Sequence, residues 1–337
     1  MNIFTDKIQC YDLAKKLYEK NEFMLLNSWK VKKILNDAFN PDEYCFFTEC
    51  EDVIPLVIKD NICYFFGGDM PFNDYNYIPN NNSLVNKALN YLKKKNIDFI
   101  LSSVSNDIID TLDCENKKFD VPFNQNWIIK DIGSFDIDAF ILKSKKKKRD
   151  KLKRSLRLYE KFKVVNVSNE DYLKNYLEQI LLLKINSFKS RGKKNIWENH
   201  KPLYRSLFAL FFENYVCLNR VIFYDDLIVG SYNLVKFGNE IFLAFSNCYD
   251  TSFEYTQFFM YIDLIKTSSS FANLDNSSFF LNAARGNFGY KKRMGFDATP
   301  LYAIVNSENW TIKRNTDLSE IETSNLYRRD FGCFYKN

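Results

Sequence analysis

Residues 278–296 read SFFLNAARGNFGYKKRMGF, and this stretch decides how the second half of the chain is built. Its first seven residues are apolar or small and suit a buried strand; Arg285-Gly286-Asn287-Phe288-Gly289 breaks that pattern, and Tyr290 is then followed by Lys291, Lys292 and Arg293. Upstream, RVIFYDDLIVGSYNLVKFGNEIFLAFSNCYD (220–250) reads as three strands with turns at Asp225-Asp226 and Gly238-Asn239, an antiparallel meander. The apolar helix TQFFMYIDLIKTSSSF (256–271) follows, and TPLYAIV (299–305) closes the set as a strand. The last residues, from Ser307, show weak periodicity and read as an extension.

The first half is also mixed. SWKVKKILNDAF (28–39) is helix-like, and residues 44–68 read as strands around a hairpin tip at Asp60-Asn61. NSLVNKALNYLKKKN (82–96) places Leu84, Ala88, Leu89 and Leu92 on one helical face, ahead of the strand IDFILSSV (97–104). EDYLKNYLEQILLLKINSF (170–188) is a further helix, leading to the polar loop KSRGKKN (189–195).

A chain of 337 residues exceeds what one hydrophobic core organises, so two domains are expected. The boundary falls before the basic run, giving residues 1–142, residues 143–306 and an extension over 307–337. Net charge is +5, yet residues 143–163 hold 12 Lys or Arg against Asp150 and Glu160, which leaves the rest of the chain acidic. Leu152, Leu156, Tyr159 and Phe162 give that run a helical apolar stripe. Its cations include Lys148, Arg149, Lys153, Arg154 and Arg157, a surface suited to the phosphates of tRNA or a nucleotide-linked ligand, or to peripheral contact with an anionic membrane. A plain solvated helix accounts for them too.

Other chemistry is poorly supplied. His200 is the single histidine, so zinc sites and histidine-based triads are not expected. The eight cysteines are scattered without a C-x-x-C pair and read as free thiols. No stretch has the ~20 apolar residues of a membrane span, and MNIFTDKIQCYDLAKK has no signal-peptide core, so a cytoplasmic location is expected.

Taken in order, these segments resemble the GCN5-related N-acetyltransferase (GNAT) superfamily, in particular its two-domain CelD-like branch, which is similar in architecture to the Fem-type aminoacyltransferases. The resemblance rests on Trp29, VIPLVI (53–58) and FFGGDMPFNDYNYI (65–78) in the first half. In the second it rests on KRDKLKRSLRLYEK (148–161), INSFKSRGKK (185–194), the meander, and above all ARGNFGYKKRMGF (284–296). It implies an α+β fold of two tandem GNAT-like domains, each a mixed, mostly antiparallel sheet flanked by helices. It also implies transfer of an acyl group from acyl-CoA or acetyl-CoA to the amine of a small substrate, without a metal.

In this resemblance Tyr290 is the candidate general acid that protonates the leaving thiolate, although Gly295 lies five positions after it rather than the usual four; a tyrosine packed on a helix face with its hydroxyl at the rim accounts for it too. Arg285, Lys291, Lys292 and Arg293 form a cationic lip suited to a phosphate or carboxylate on a substrate, or else a solvated basic turn, and Asn287 and Arg191 are further substrate- or donor-binding residues. Ser246, Asn247 and Cys248 line the acyl slot, and Asp250 is either the general base for the amine or a turn residue. The superfamily's coenzyme A binders carry a Gly-containing turn before the central helix, whereas YDTSFEYTQFFMY (249–261) has no Gly and adds Glu254. An aminoacyl-tRNA is therefore the alternative donor, and a non-catalytic module that binds RNA or a partner protein is the third reading.

Overall fold

The computed structural model describes the chain apart from residues 23, 71, 74, 105–117, 158–160, 191–195, 245–247, 254–255, 273–277, 286–288, 307–309, 314–332 and 337. Side chains are described neither there nor at 118–125, 196–197, 285, 289–290, 310–313 and 333–336. The chain clusters into two compact units. One is Met1–Asn126 with Arg285–Asn287 and Thr299–Asn337; the other is Trp127–Ala284 with Phe288–Ala298.

The first unit runs β1 (Asn2–Phe4), α1 (Lys7–Lys20), α2 (Trp29–Phe39), β2 (Glu43–Glu49), β3 (Asp52–Lys59), β4 (Ile62–Phe65), α3 (Asn82–Lys94) and β5 (Asp98–Val104). Strands β1 to β4 are antiparallel neighbours, and β4 pairs parallel with β5. The strands read as unbroken apolar runs because both faces are covered. Cys45, Phe47, Ile54, Leu56 and Ile58 share a core with Leu84, Ala88 and Leu92 of α3. The alternate residues Tyr44, Phe46, Val53 and Val57 share one with Cys10, Ala14 and Leu17 of α1. The hairpin between β3 and β4 is a two-residue turn with Asp60 and Asn61 both at positive φ, +51° and +58°.

Strand β6 (Lys118–Ile129) leads into the second unit, which contains α4 (Ile137–Lys143), α5 (Lys146–Arg157), β7 (Phe162–Val167), α6 (Leu177–Lys189) and α7 (Lys201–Asn214). It continues with β8 (Val216–Tyr224), β9 (Leu227–Phe237), β10 (Glu240–Leu243), β11 (Cys248–Tyr249), α8 (Thr256–Ala272), β12 (Phe280–Arg285) and α9 (Gly289–Arg293). Strands β7, β8, β9 and β10 are antiparallel neighbours, and β10 pairs parallel with β12. Each unit therefore has a strand, two helices, three antiparallel strands, a helix and a parallel strand, in that order. Each is a mixed, mostly antiparallel sheet flanked by helices.

Several expectations differ from this arrangement. Neither unit is one unbroken run, in contrast to the expected 1–142 and 143–306. Ile132 N–H donates to Phe279 O at 2.8 Å, and Ile137 and Ile141 join the core of α8, which ties the residues after 126 to the second unit. Strand β13 (Asp297–Val305) was expected to close the second sheet, but Tyr302–Val305 pair antiparallel with β5 of the first unit. Phe162 opens β7 rather than extending the basic helix, because Val164, Val165 and Val167 favour the strand. The expected extension contains β14 (Trp310–Lys313) paired with β15 (Cys333–Lys336). Among the described residues no helix is long and apolar enough to cross a membrane, and no cluster of metal-ligating side chains occurs.

Candidate active site

Strand β10 lies between β9 and β12 in the second sheet. It pairs with β12 through Glu240–Phe280, Ile241–Leu281 and Phe242–Asn282. Leu243 opposes Leu234 of β9, and Cys248 opposes Ser231 of the same strand. Beyond the last pair with β10, at Asn282, β12 continues to Arg285.

The end of β12 is shaped by its own side chains. Asn282 is buried; it donates to the Glu240 carboxylate and accepts the N–H of Ala284 at 2.9 Å. That short loop holds Ala284 in the left-handed region, φ +56°, uncommon for a residue with a Cβ. The carbonyls of Ala283 and Ala284 then both accept from Lys291 Nζ, at 2.6 and 3.2 Å. Lys291 is only 2% exposed, so it does not join the solvent-facing lip; Lys292 and Arg293 remain exposed. A buried ammonium is tolerated here because carbonyl oxygens replace water around it.

Helix α9 ends in a Schellman motif. Phe296 N–H donates to Lys291 O and Gly295 N–H to Lys292 O, with Gly295 at φ +96°. A Cβ on Gly295 would lie 2.8 Å from the Phe135 ring. Gly295→Ala is expected to cost about 1–3 kcal/mol, from the left-handed backbone and the contact together, measured by urea unfolding. A cost below about 0.5 kcal/mol would show that α9 does not depend on this cap.

Asp250 occupies a turn. Its N–H donates to Val229 O at 2.7 Å, and its Oδ1 accepts from Ser252 N–H at 2.8 Å and Ser252 Oγ at 2.6 Å. Thr251 Oγ1 meets Ser190 Oγ at 2.9 Å, which brings the end of α6 beside this turn. Cys248 is buried, with its thiol 3.8 Å from Ile180 O. Burial pushes that thiol up to about 12, against a smaller opposite pull from Lys184. At neutral pH it is a protonated thiol, a poor nucleophile. Burial likewise pushes Cys45 and Cys217 up to about 12. Their unfolded counterparts ionise near 9, so stability is whole below that pH and is expected to fall as pH rises towards 12. Urea midpoints that stay constant from pH 9 to 11 would contradict this.

Ser246, Asn247, Asn287 and Arg191 lie outside the described residues, and the side chains of Arg285 and Tyr290 do as well. On α5, Lys153, Arg154 and Arg157 are exposed, whereas Lys148 and Arg149 are half-buried. Lys184, 4% exposed, was not expected; it donates to the buried Tyr204 hydroxyl at 3.0 Å. Burial holds that hydroxyl well above the ordinary tyrosine range. Its signal in the sequence is a lysine on the stripe formed by Ile180, Leu181 and Ile185.

The corresponding strand end of the first unit is occupied by its own chain. Asn76 N–H and Nδ2 donate to Ser103 O and Ser102 O at 3.2 and 2.8 Å, and Asn76 Oδ1 accepts from the buried Lys32 at 3.0 Å. Lys32 also donates to Asn73 Oδ1 and Tyr75 O. Gly67 and Gly68 bond within the protein through Asn36 Oδ1 and Phe65 O, so this turn packs rather than cradles.

No family model and no curated protein matches the chain. Solved structures do. The C-terminal domain of a lysylphosphatidylglycerol synthetase from Agrobacterium fabrum aligns over 90% of this chain and 93% of its own, at 10% identity and a TM-score of 0.54. The L-PGS from Bacillus licheniformis aligns over 93% and 94%, at 13% identity and 0.52. A tandem GNAT protein from the clavulanic acid biosynthesis pathway aligns over 91% and 98%, at 8% identity and 0.50. The chain is therefore similar in fold to the tandem GNAT proteins.

Proposed function

We propose that this chain is an N-acyltransferase that moves an acyl group from a thioester donor, acyl-CoA or acetyl-CoA, to the amine of a small substrate such as an amino sugar or amino acid. The observation that carries the reading is the end of the parallel β10–β12 pairing at Phe242 and Asn282, with the buried Lys291 of the helix that bears Tyr290 bonded to the carbonyls that follow on β12. A thioester carbonyl placed between the strand ends meets backbone donors on one side and the field of a buried ammonium on the other. The amine adds to the carbonyl, the C–N bond forms, and the C–S bond breaks. Tyr290 delivers the proton to the departing thiolate, and the ammonium proton leaves through water or Asp250. No covalent intermediate is needed, in keeping with the protonated thiol of Cys248.

A second reading substitutes an aminoacyl-tRNA for the thioester. It is favoured by the Gly-free approach to α8 and by the cations of α5. One of the structural neighbours named above is a lysylphosphatidylglycerol synthetase by name, which supports an aminoacyl donor as the alternative. Contact with an anionic membrane at α5 is compatible with either donor.

The test is thiol release from a panel of acyl-CoAs, with and without amino sugars and amino acids. Amine-dependent release with one donor is expected. Silence across the panel, with amine-dependent deacylation of aminoacyl-tRNA, would replace the first reading by the second. Silence with both would leave the non-catalytic binding module.

A further inference from the structure

Cations from two elements far apart in sequence lie over the rings of Phe140 and Phe258. Lys151 Nζ of α5 lies 4.7 Å from the centroid of Phe258, and the guanidinium of Arg293, the last residue of α9, lies 6.0 Å from the same centroid. One turn earlier on α5, Lys148 Nζ lies 4.2 Å from the Phe140 ring. Lys148 also feels Arg293 directly: burial first, and then this like charge, pull its ammonium below the ordinary lysine range. Among the described residues no ion pair engages Lys148 or Arg293.

The cluster is held rather than loose. Arg293 is placed by the Schellman cap at Gly295, which is backed by Phe135 and Phe140. Lys148 is placed by α5, whose Leu152 is buried in the same core as Phe258 and Phe259 of α8. Like charges gathered against aromatic faces raise the energy of the empty protein, and a multivalent anion offsets that cost. A guanidinium presents a planar fork and an ammonium a point charge, a pairing that suits tetrahedral phosphate oxygens.

We propose that Lys148, Lys151 and Arg293 form a phosphate-binding site for the donor, in which side chains replace the backbone cradle that the Gly-free approach to α8 lacks. The site rests on the acyl-transfer reading only for where its phosphate comes from. Two sources share this chemistry: the pyrophosphate of coenzyme A and the phosphodiesters at the 3′ end of an RNA.

The experiment is calorimetric titration of the full chain with inorganic pyrophosphate, coenzyme A and total tRNA. Wild type is compared with Lys148→Met/Arg293→Met, and with Lys146→Met/Lys147→Met as a control that removes two exposed charges from the same helix. Methionine keeps much of the packing on the rings, so the first double variant is expected to melt no lower than wild type without ligand. Its pyrophosphate Kd is expected to rise at least about tenfold, against less than about twofold in the control. Equal changes in both variants, or no pyrophosphate binding by wild type, overturn the site. A matching loss for coenzyme A assigns the phosphate to the thioester donor; a matching loss for tRNA alone assigns it to the RNA end. If pyrophosphate binding falls as expected while no acyl donor turns over, the site stands and the transfer reading fails. If transfer proceeds with an unchanged donor KM in Lys148→Met/Arg293→Met, the reading stands and the site fails.

Discussion

Tyr290→Phe is expected to lower kcat for acyl transfer by about 10²- to 10³-fold, the usual reach of a positioned general acid. A thiolate leaves at neutral pH without covalent help, yet a proton delivered as the C–S bond breaks keeps the tetrahedral adduct from returning to reactants. The substitution removes one oxygen and keeps the ring. Helix α9 stays in place through Lys291 and the Gly295 cap, which do not involve the hydroxyl. Melting temperature and donor Kd are therefore expected to remain at wild-type values. A kcat within a factor of about three of wild type would remove Tyr290 from the chemistry. For a binding module, the variant would bind as wild type with no turnover to lose.

Arg220→Met is expected to cost about 3–5 kcal/mol and to lower the melting temperature by about 10 °C. Asp263 sits on the otherwise apolar helix α8, 8% exposed, and takes both its oxygens to the Arg220 guanidinium at 3.1 and 3.2 Å. The Tyr232 hydroxyl donates to the same carboxylate and meets Thr267 Oγ1 at 3.1 Å. Removing the guanidinium strands a carboxylate against the sheet, and that desolvated charge makes the loss large. Arg220→Met/Asp263→Leu, which removes both charges, is expected to recover more than half of it. Arg205→Met provides the contrast. Its partner Glu178 and Arg205 itself are more than half exposed, at 55% and 53%, so the change is expected to stay under about 0.5 kcal/mol. Equal losses for the two arginines in urea unfolding would contradict the account of the buried pair.

Much of the fold was legible where the local pattern is strong. Asp60-Asn61 and Asp225-Asp226 each join strands by two residues, and Asp225 adopts the positive φ that such turns require, +51°. The helices over 28–39, 82–96 and 256–271 form within a residue or two of their expected ends. Helix α7 was not expected, although Leu203, Tyr204, Leu207, Phe208 and Phe211 make a clear stripe; its aromatic content reads equally as strand. Periodicity gives the face of a strand but not its neighbour, so nothing local indicated that Thr299–Val305 serves the first unit. The candidate site shows the same limit. Lys291, Lys292 and Arg293 are adjacent letters, yet about 100° of rotation per residue on a helix sends the first inward and leaves the others in water. Asn282 and Glu240 read as ordinary strand residues until the parallel register of β10 and β12 brings them together.

The return of β13 to the first unit sets an order on biosynthesis. While the chain is being made, β5 has a bare edge until Thr299–Val305 leaves the ribosome, although everything else in that sheet up to β5 has long since been translated. At ordinary elongation rates the wait is on the order of ten seconds or more. An open strand edge is a template for pairing with another chain, and Ile100 and Leu101 of β5 are apolar as well. Nascent copies close together on one message are thus exposed to mispairing for that interval, and the last strand of that sheet to be synthesised is the one that ends it.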